Sequence, residues 1–274
     1  MSRTPGNIKF VTVSAVPDLE IVAGNGVTNT FPMHVHEKYC LGMIVQGQAL
    51  LKAPEELYHL RSGHIYFLNP GLAHQIKPDG DHGFDHIVFC FGAEFLTFYW
   101  GSQEASQFRF ATTTADAPQF CQGFMDFYNR ILSSDIVDDL TTCISSFFDM
   151  LLPFGAFFGL SDNEDKHEQD SVLKVCDIIK SDCHRNMSLD ELAAQAAMSK
   201  FHFCRVFKQT TGLSPYEFQL QARIKLAKVM LLNKEPIADI AAGLGFADQS
   251  HFYRFFKRDT GLTPGEFIKM SIEV

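Results

Sequence analysis

No run of apolar residues in this 274-residue chain approaches the roughly 18 that would mark a membrane-spanning helix. The opening Met1-Ser2-Arg3-Thr4-Pro5-Gly6 has no apolar signal core behind a basic start. A soluble, cytoplasmic protein with no membrane partner is the expectation. Paired cysteines are missing too. The seven cysteines are an odd number and form no C-x-x-C pair, so reduced thiols in a cytosol are expected rather than disulfides. No nucleophile–base pair or phosphate-binding glycine loop is evident, which argues against an enzyme. Net basic charge is also lacking. The formal charge is −9, a poor match to nucleic acid until the chain is divided. Residues 1–170 hold 9 Lys+Arg against 21 Asp+Glu, whereas residues 171–274 hold 14 against 11, a balance of +3. Only the second part could meet phosphates, and its charge permits this without proving it.

The chain's length suggests two domains. An apolar fraction of 46%, with 27 Phe, supports buried cores. The second part carries an internal repeat. Residues 199–218, SKFHFCRVFKQTTGLSPYEF, and 248–267, DQSHFYRFFKRDTGLTPGEF, share eleven of 20 positions at an offset of 49. Before each lies a short helical pattern. In the first copy Ser188 reads as an N-cap with Glu191 three residues on, a capping box, and Leu189, Leu192, Ala193 and Ala196 fall on one face. The helix begun by Ser199 buries Phe203, Val206 and Phe207, exposes Lys200, Phe201, Cys204, Arg205 and Lys208, and ends at Gly212. In the second copy Pro236 suits the first turn of the leading helix, with Ile237, Ile240, Ala241 and Leu244 as its buried stripe. Asp248 caps the next helix, which buries Phe252, Phe255 and Phe256 and exposes Gln249, Ser250, His251, Tyr253, Arg254 and Lys257. Two helices joined by a tight turn, the second with a polar and basic outer face, form a helix-turn-helix pattern. A long helix from Ser214-Pro215 to about Asn233, with Leu220, Ile224, Ala227 and Leu231 buried, could hold both units over adjacent grooves of one duplex.

The stretch Ile237-Ala238-Asp239-Ile240-Ala241 through Gly245-Phe246, then Ser250-His251-Phe252-Tyr253-Arg254-Phe255-Phe256-Lys257, then Gly261-Leu262-Thr263-Pro264, resembles the AraC/XylS signature. The likeness covers about 100 C-terminal residues. It implies two outward helices in major grooves of double-stranded DNA. The base-reading candidates it implies are Phe201, Cys204 and Arg205, then Gln249, Ser250, His251, Tyr253 and Arg254. Arg205 and Arg254 lead, since Arg can bind guanine in bidentate fashion. Lys200, Lys208, Lys257 and Arg258 would touch phosphates. His202 and His251 could instead be helix-packing residues. Activation through RNA polymerase is a further implication.

The first part reads differently. Short apolar runs (Leu41–Val45, Ala49–Leu51, Ile65–Leu68, Ile87–Phe91) alternate with Gly47, Pro54, Gly63, Pro70-Gly71 and Gly80, which predicts a β-barrel or sandwich. Phe31-Pro32-Met33-His34-Val35-His36, followed by Cys40 and Gly47, and Gly63 followed by Asn69-Pro70-Gly71-Leu72-Ala73-His74, resemble cupin motifs and the sensor barrels of AraC-type regulators. The resemblance matches His34, His36 and His74 to metal-ligand positions, with Cys40 where cupins carry Glu. On a regular strand His34, His36, Lys38 and Cys40 would share a face, and Glu37 would point away. Three imidazoles and a thiolate would suit Zn²⁺, Ni²⁺ or Co²⁺, and His82, His86 and Cys90 could add ligands. These side chains could equally line an organic-effector pocket or serve as structural hydrogen-bonded groups.

Residues 115–160 switch to helical spacing. Phe120, Phe124, Phe127 and Ile131 form one stripe; Leu140, Cys143, Ile144, Phe147, Phe148 and Leu151 form another. Family resemblance makes this region a dimer contact, and packing on the barrel is the alternative. Residues 161–170, SDNEDKHEQD, read as a linker. The expected fold class is α+β in two domains. Residues 1–165 form a cupin-like sensing and dimerisation domain, with the barrel at about 8–110 and helices at about 115–160. Residues 166–274 form an all-α domain of tandem helix-turn-helix units. The expected function is a ligand-responsive transcriptional regulator, an activator working as a homodimer, with a small molecule or metal as effector. The competing classes are a cupin enzyme, such as a metal-dependent oxygenase or isomerase, and a constitutive DNA binder with a ligand-blind barrel.

Overall fold

The computed structural model describes residues 7–13, 16, 18–54, 56–92, 94–96, 108–110, 113–116, 118–133, 144, 146, 147, 154–157 and 166–273. The N-terminal domain is built on strands β1 (Asn7–Thr12), β2 (Leu19–Val27), β3 (Tyr39–Gln46), β4 (Gln48–Lys52), β5 (Leu57–Arg61), β6 (His64–Leu68), β7 (Gln75–Pro78), β8 (Phe84–Phe91), β9 (Phe108–Phe110), β10 (Thr114–Asp116) and β11 (Gly155–Phe157), with helix α1 (Pro118–Leu132). The C-terminal domain contains α2 (Lys166–Ser181), α3 (Leu189–Gln195), α4 (Lys200–Thr211), α5 (Pro215–Leu232), α6 (Ile237–Gly243), α7 (Gln249–Thr260) and α8 (Pro264–Met270), and ends in a strand, β12 (Ser271–Glu273).

Among the described residues three sheets form: β10-β6-β3-β8-β2-β1-β12, β5-β4-β7, and β11-β9. The near-continuous burial of β3 and β8 follows from a large sheet covered on both faces. Leu41, Met43, Phe67, Phe89 and Phe91 pack towards α1. Cys40, Ile44, Leu68, Val88 and Cys90 pack towards Leu51, Leu60 and Ile76 of the small sheet. Alternate residues therefore serve opposite cores. The predicted barrel does not close. The sheets stay open, because α1 seals one face of the large sheet and the C-terminal β12 pairs parallel with the β1 edge, Phe10 facing Ser271 and Thr12 facing Glu273.

Helix α1 buries Phe124, Phe127 and Ile131 against this core, and Phe127 stacks on Phe147 at 4.1 Å. Its apolar stripe is thus spent within the chain. Of the second stripe, Ile144 and Phe147 are buried; Leu140, Cys143, Phe148 and Leu151 lie outside the described residues. The predicted linker is corrected at its second half. Lys166–Asp170 open α2, with Glu168 in the first turn where the helix dipole favours an acid. Residues 161–165 lie outside the described residues.

The helix boundaries of the C-terminal domain follow their caps. Ser188 and Glu191 close a capping box on α3, Ser199 caps α4, Ser214 and Glu217 box α5, and Asp248 caps α7. Gly212 and Gly261 end the two equivalent helices α4 and α7 with φ of 73° and 78°, a backbone that favours residues lacking Cβ. Pro236 takes the N-cap itself rather than the first turn. Three core assignments change. Leu189, at the start of α3, is exposed, Ile237, at the start of α6, is half-buried, and Phe255 is half-buried between Arg254 and Arg258, whose guanidinium carbons lie 5.7 and 4.3 Å from its ring centroid.

Candidate functional site

The outer faces of α4 and α7 carry the residues picked from the repeat. Lys200, Phe201, Arg205 and Lys208 are exposed, as are Gln249, Ser250, Arg254 and Lys257; Cys204, His251 and Tyr253 are half-buried. Phe201, at 92% exposure, is the most exposed large apolar side chain among the described residues. Several members are already engaged within the protein. Lys200 pairs with Asp190 at 2.7 Å. Arg205 donates to His202 Nδ1 at 2.9 Å, and His202 Nε2 donates to Glu168 of α2 at 3.0 Å. His251 Nδ1 accepts from the Ala247 amide at 3.3 Å and its ring meets Phe246 and Phe255 edge-on, so it helps shape the start of α7.

Sequence reasoning missed Arg223. It is buried on α5, donating to the carbonyls of Cys183, Gly245 and Arg185 and to Asn186 Oδ1. One guanidinium thereby ties the loop after α2 to the turn of the second unit. A charge among the apolar positions of α5, one residue before Ile224, was the available signal.

A second site lies between the domains. A cavity of about 120 Å³ is walled by the small sheet and the inner face of the large sheet, and by Lys228 of α5 and Asp259 and Thr260 of α7. His34, His36 and His74 meet here, with their ring nitrogens within 4.8 Å of one another. The local fold explains the meeting. His34 and His74 form an isolated antiparallel bridge with both backbone bonds at 2.9 Å. Residues 35 and 36 are not in a regular strand, which corrects the predicted strand geometry, and β3 begins only at Tyr39. The His34 and His74 rings are each oriented by the chain two residues back: His34 Nδ1 donates to Pro32 O and His74 Nδ1 to Leu72 O, both at 2.9 Å. A carbonyl only accepts, so Nδ1 carries the proton and Nε2 presents a lone pair. His34 Nε2 lies 3.1 Å from His36 Nε2.

Burial is the largest influence on all three rings and lowers their pKa values. It is reinforced at His36 by its two imidazole neighbours and at His74 by His34, and opposed at His34 by Asp259. In each case the shift favours the neutral ring. His86 lines the same cavity; burial pushes it down to about 4. Its Nδ1 meets the Tyr66 hydroxyl at 3.3 Å, while its Nε2 has no hydrogen-bond partner among the described residues.

The other candidates separate from this group. Cys40 lines the cavity, but its sulfur lies 3.4 Å from Cys90 Sγ, and that contact, with burial, raises its pKa well above the ordinary thiol value. It does not join the three histidines. Lys38 turns to Asp18 and Glu20, and His82 is exposed. Glu37 points away, pairing across the interface with Lys225 of α5 and, at 3.0 Å, with Lys180 of α2. Lys228 and Asp259, 3.6 Å apart, were not picked from sequence. Their signal was position: Lys228 follows Ala227 in the buried stripe of α5, and Asp259 follows Phe256 by three on α7.

No helix among the described residues is long and apolar enough to cross a membrane. Two family profiles match the chain: the AraC-like ligand binding domain over residues 16–142 and a helix-turn-helix domain over residues 192–270. The uncharacterized HTH-type transcriptional regulator YbfI of Bacillus subtilis is 26% identical over 253 residues, spanning 87% of this chain and 88% of its own. The lactose operon transcription activator of Staphylococcus xylosus is 23% identical over 232 residues, 81% of each chain. Among solved structures, an apo single-site variant of ToxT from Vibrio cholerae superposes with a TM-score of 0.62 at 15% identity, covering 92% of this chain and 97% of its own. Wild-type ToxT bound to an unsaturated fatty acid gives 0.56 at 17% identity, covering 98% of both chains. At such identities the likeness is one of fold.

Proposed function

Because the chain belongs to the AraC family of transcriptional regulators, with a ligand-binding domain joined to a helix-turn-helix domain, we propose that it is an effector-responsive, sequence-specific regulator whose effector occupies the interdomain cavity. The observation that carries this reading is the cavity's construction. Its walls come from the sensor sheets on one side and from α5 and α7 on the other. An occupant touching Asp259 or Thr260 touches the far end of the helix that presents Arg254. Differential affinity of the occupant for two arrangements of these walls is what couples the sites.

On DNA, α4 and α7 enter successive major grooves, with α5, about 27 Å long by its 18 residues, as the spacer. Arg205 and Arg254 read bases, and Lys200, Lys208 and Lys257 contact phosphates. The protein acts in the cytoplasm as a homodimer that activates through RNA polymerase. Family membership and the activator named above support this part. The apolar stripe of α1 is consumed by the sheet, so the dimer contact uses other faces. The effector is a small molecule or a metal ion. The relatives that match along most of the chain are regulators by name, which supports a role outside catalysis.

The test is selection of a double-stranded site from a random pool by the full chain, followed by titration of that site with the wild type and with Val22→Trp, which fills the cavity. Both should bind DNA, and only the wild type should change its affinity when candidate effectors are added. Failure to retain any duplex at low salt would overturn the DNA reading. An unaltered effector response in Val22→Trp would overturn the cavity placement.

A further inference from the structure

We infer that the cavity holds a divalent transition-metal ion that fastens the sensor to the second helix-turn-helix unit, with His34, His36 and His74 as three imidazole ligands and Asp259 of α7 as the fourth. This rests on the effector-cavity reading and names the effector's chemistry.

The first argument is preorganisation. Two of the three rings have their outward nitrogen fixed as a lone pair by a backbone carbonyl on the other nitrogen, the arrangement that orients metal-ligating imidazoles. The 3.1 Å separation of His34 and His36 Nε2 is close to the roughly 3.3 Å edge of a tetrahedron with bonds of about 2.0–2.1 Å. Ring centroids 4.3 to 5.1 Å apart bring one nitrogen of each ring within 4.8 Å of the others. Imidazole nitrogens with one carboxylate oxygen suit Zn²⁺, Co²⁺ or Ni²⁺ better than Ca²⁺ or Mg²⁺, which take oxygen ligands.

The second argument is the carboxylate. Asp259 lines the same cavity, although its carboxylate, like the Cys40 thiol, stands outside the group of three rings, so ligation draws α7 towards them. Its present partner is Lys228 at 3.6 Å. That ammonium also lies 5.9 Å from the Phe10 ring centroid, so it keeps a favourable contact when a cation takes Asp259. The loop bearing the histidines is held to α5 independently: Gln221 accepts from the Val35 amide and donates to Met33 O. The metal would therefore close a gap that the protein already spans. Asp259 lies five residues after Arg254 on α7, so occupancy fixes the reading helix relative to the sensor.

The experiment is titration of the full chain, stripped with a chelator, with Co²⁺ alone. Visible absorption and metal content are recorded, and Zn²⁺ and Ni²⁺ then serve as competitors. One equivalent with a four-coordinate cobalt spectrum is expected. His36→Ala should abolish it. Asp259→Ala should weaken it by at least the 10–100-fold typical of losing a mere outer partner, and Cys40→Ser should leave it unchanged. Asp259 is not deeply buried, so its variant is expected to fold even if a histidine variant does not. Absence of stoichiometric metal in the intact chain would overturn the proposal; the cavity reading would survive if an organic compound still shifted DNA affinity in the wild type but not in Val22→Trp. Equal cobalt affinity in wild type and Asp259→Ala would overturn the interdomain bridge.

Discussion

The two helix-turn-helix units share eleven of 20 residues, yet they occupy different surroundings. The first has a core of its own, in which Phe203, Val206 and Phe207 pack with Leu192 and Ala193 of α3 and with Val172, Val175 and Ile179 of α2. The second shares its core with the sensor: Phe252 and Phe256 join a cluster that runs through Phe267 to Ile8 and on to the small sheet. The first unit leans on the sensor at a point, Gly212 against Ala73, where an added Cβ would fall 2.1 Å from the alanine methyl. The second is built into it, through the parallel pairing of β12 with β1 and the contact of Phe10 with Phe267 at 5.0 Å. Duplication supplied two readers, and their surroundings made one of them the recipient of the sensor's state.

Equivalent core truncations should expose this difference most strongly. Phe203 and Phe252 are both fully buried, so each change to Ala should cost about 3–5 kcal/mol. Hydrogen exchange distinguishes them. Phe252→Ala should also lower amide protection in β1, whereas Phe203→Ala should loosen α2–α4 and leave β1 protected. Equal loss of β1 protection in both variants would break the comparison.

The readers should also differ on DNA, by a smaller amount. Arg254→Ala is expected to lose about 1–3 kcal/mol of site affinity and relax preference at one base position. Arg205→Ala should lose less, because in the free protein Arg205 already donates to His202, which Glu168 holds, and reading a base means giving that bond up. Randomised-site selection with each variant measures both terms. A larger loss for Arg205→Ala would mean that the His202 contact survives on DNA and positions the arginine.

Local signals in the sequence led to local structure. The capping residues Ser188, Ser214 and Asp248 and the terminal Gly212 each act within a few residues of themselves, and all four sit where their chemistry requires. The stripe of α1 was legible for the same reason. What could not be read is what depends on distant partners. Nothing near Ser271–Glu273 signals a strand; it becomes one because the β1 edge is there. Phe255 matches the spacing of a buried position, yet it stays half-buried, with two arginines and the edge of His251 against its ring. The three histidines were legible as a set. Their partners Lys228 and Asp259 were not, since these arrive from about 190 and 220 residues further along. Cys40, matched to a ligand position by motif alone, is drawn instead to Cys90 across the β3–β8 ladder.

The weakest of the ties between sensor and DNA-reading domain should be Glu37. Its carboxylate meets Lys180 and Lys225, but the side chain is 41% exposed, and Lys180 and Lys225 are 40% and 66% exposed. Water screens such pairs, and holding long side chains in one geometry costs entropy, so Glu37→Gln should change stability by no more than about 1 kcal/mol. The effect should shrink further as salt rises. Its value lies in the contrast with the apolar interface: if Phe10, Phe267 and β12 carry the attachment of the second unit, Glu37→Gln will leave both the thermal midpoint and the protection of β1 close to wild type. A loss as large as that of Phe252→Ala would mean that the domains are held by charge, and the asymmetry between the two units would then need a different physical origin.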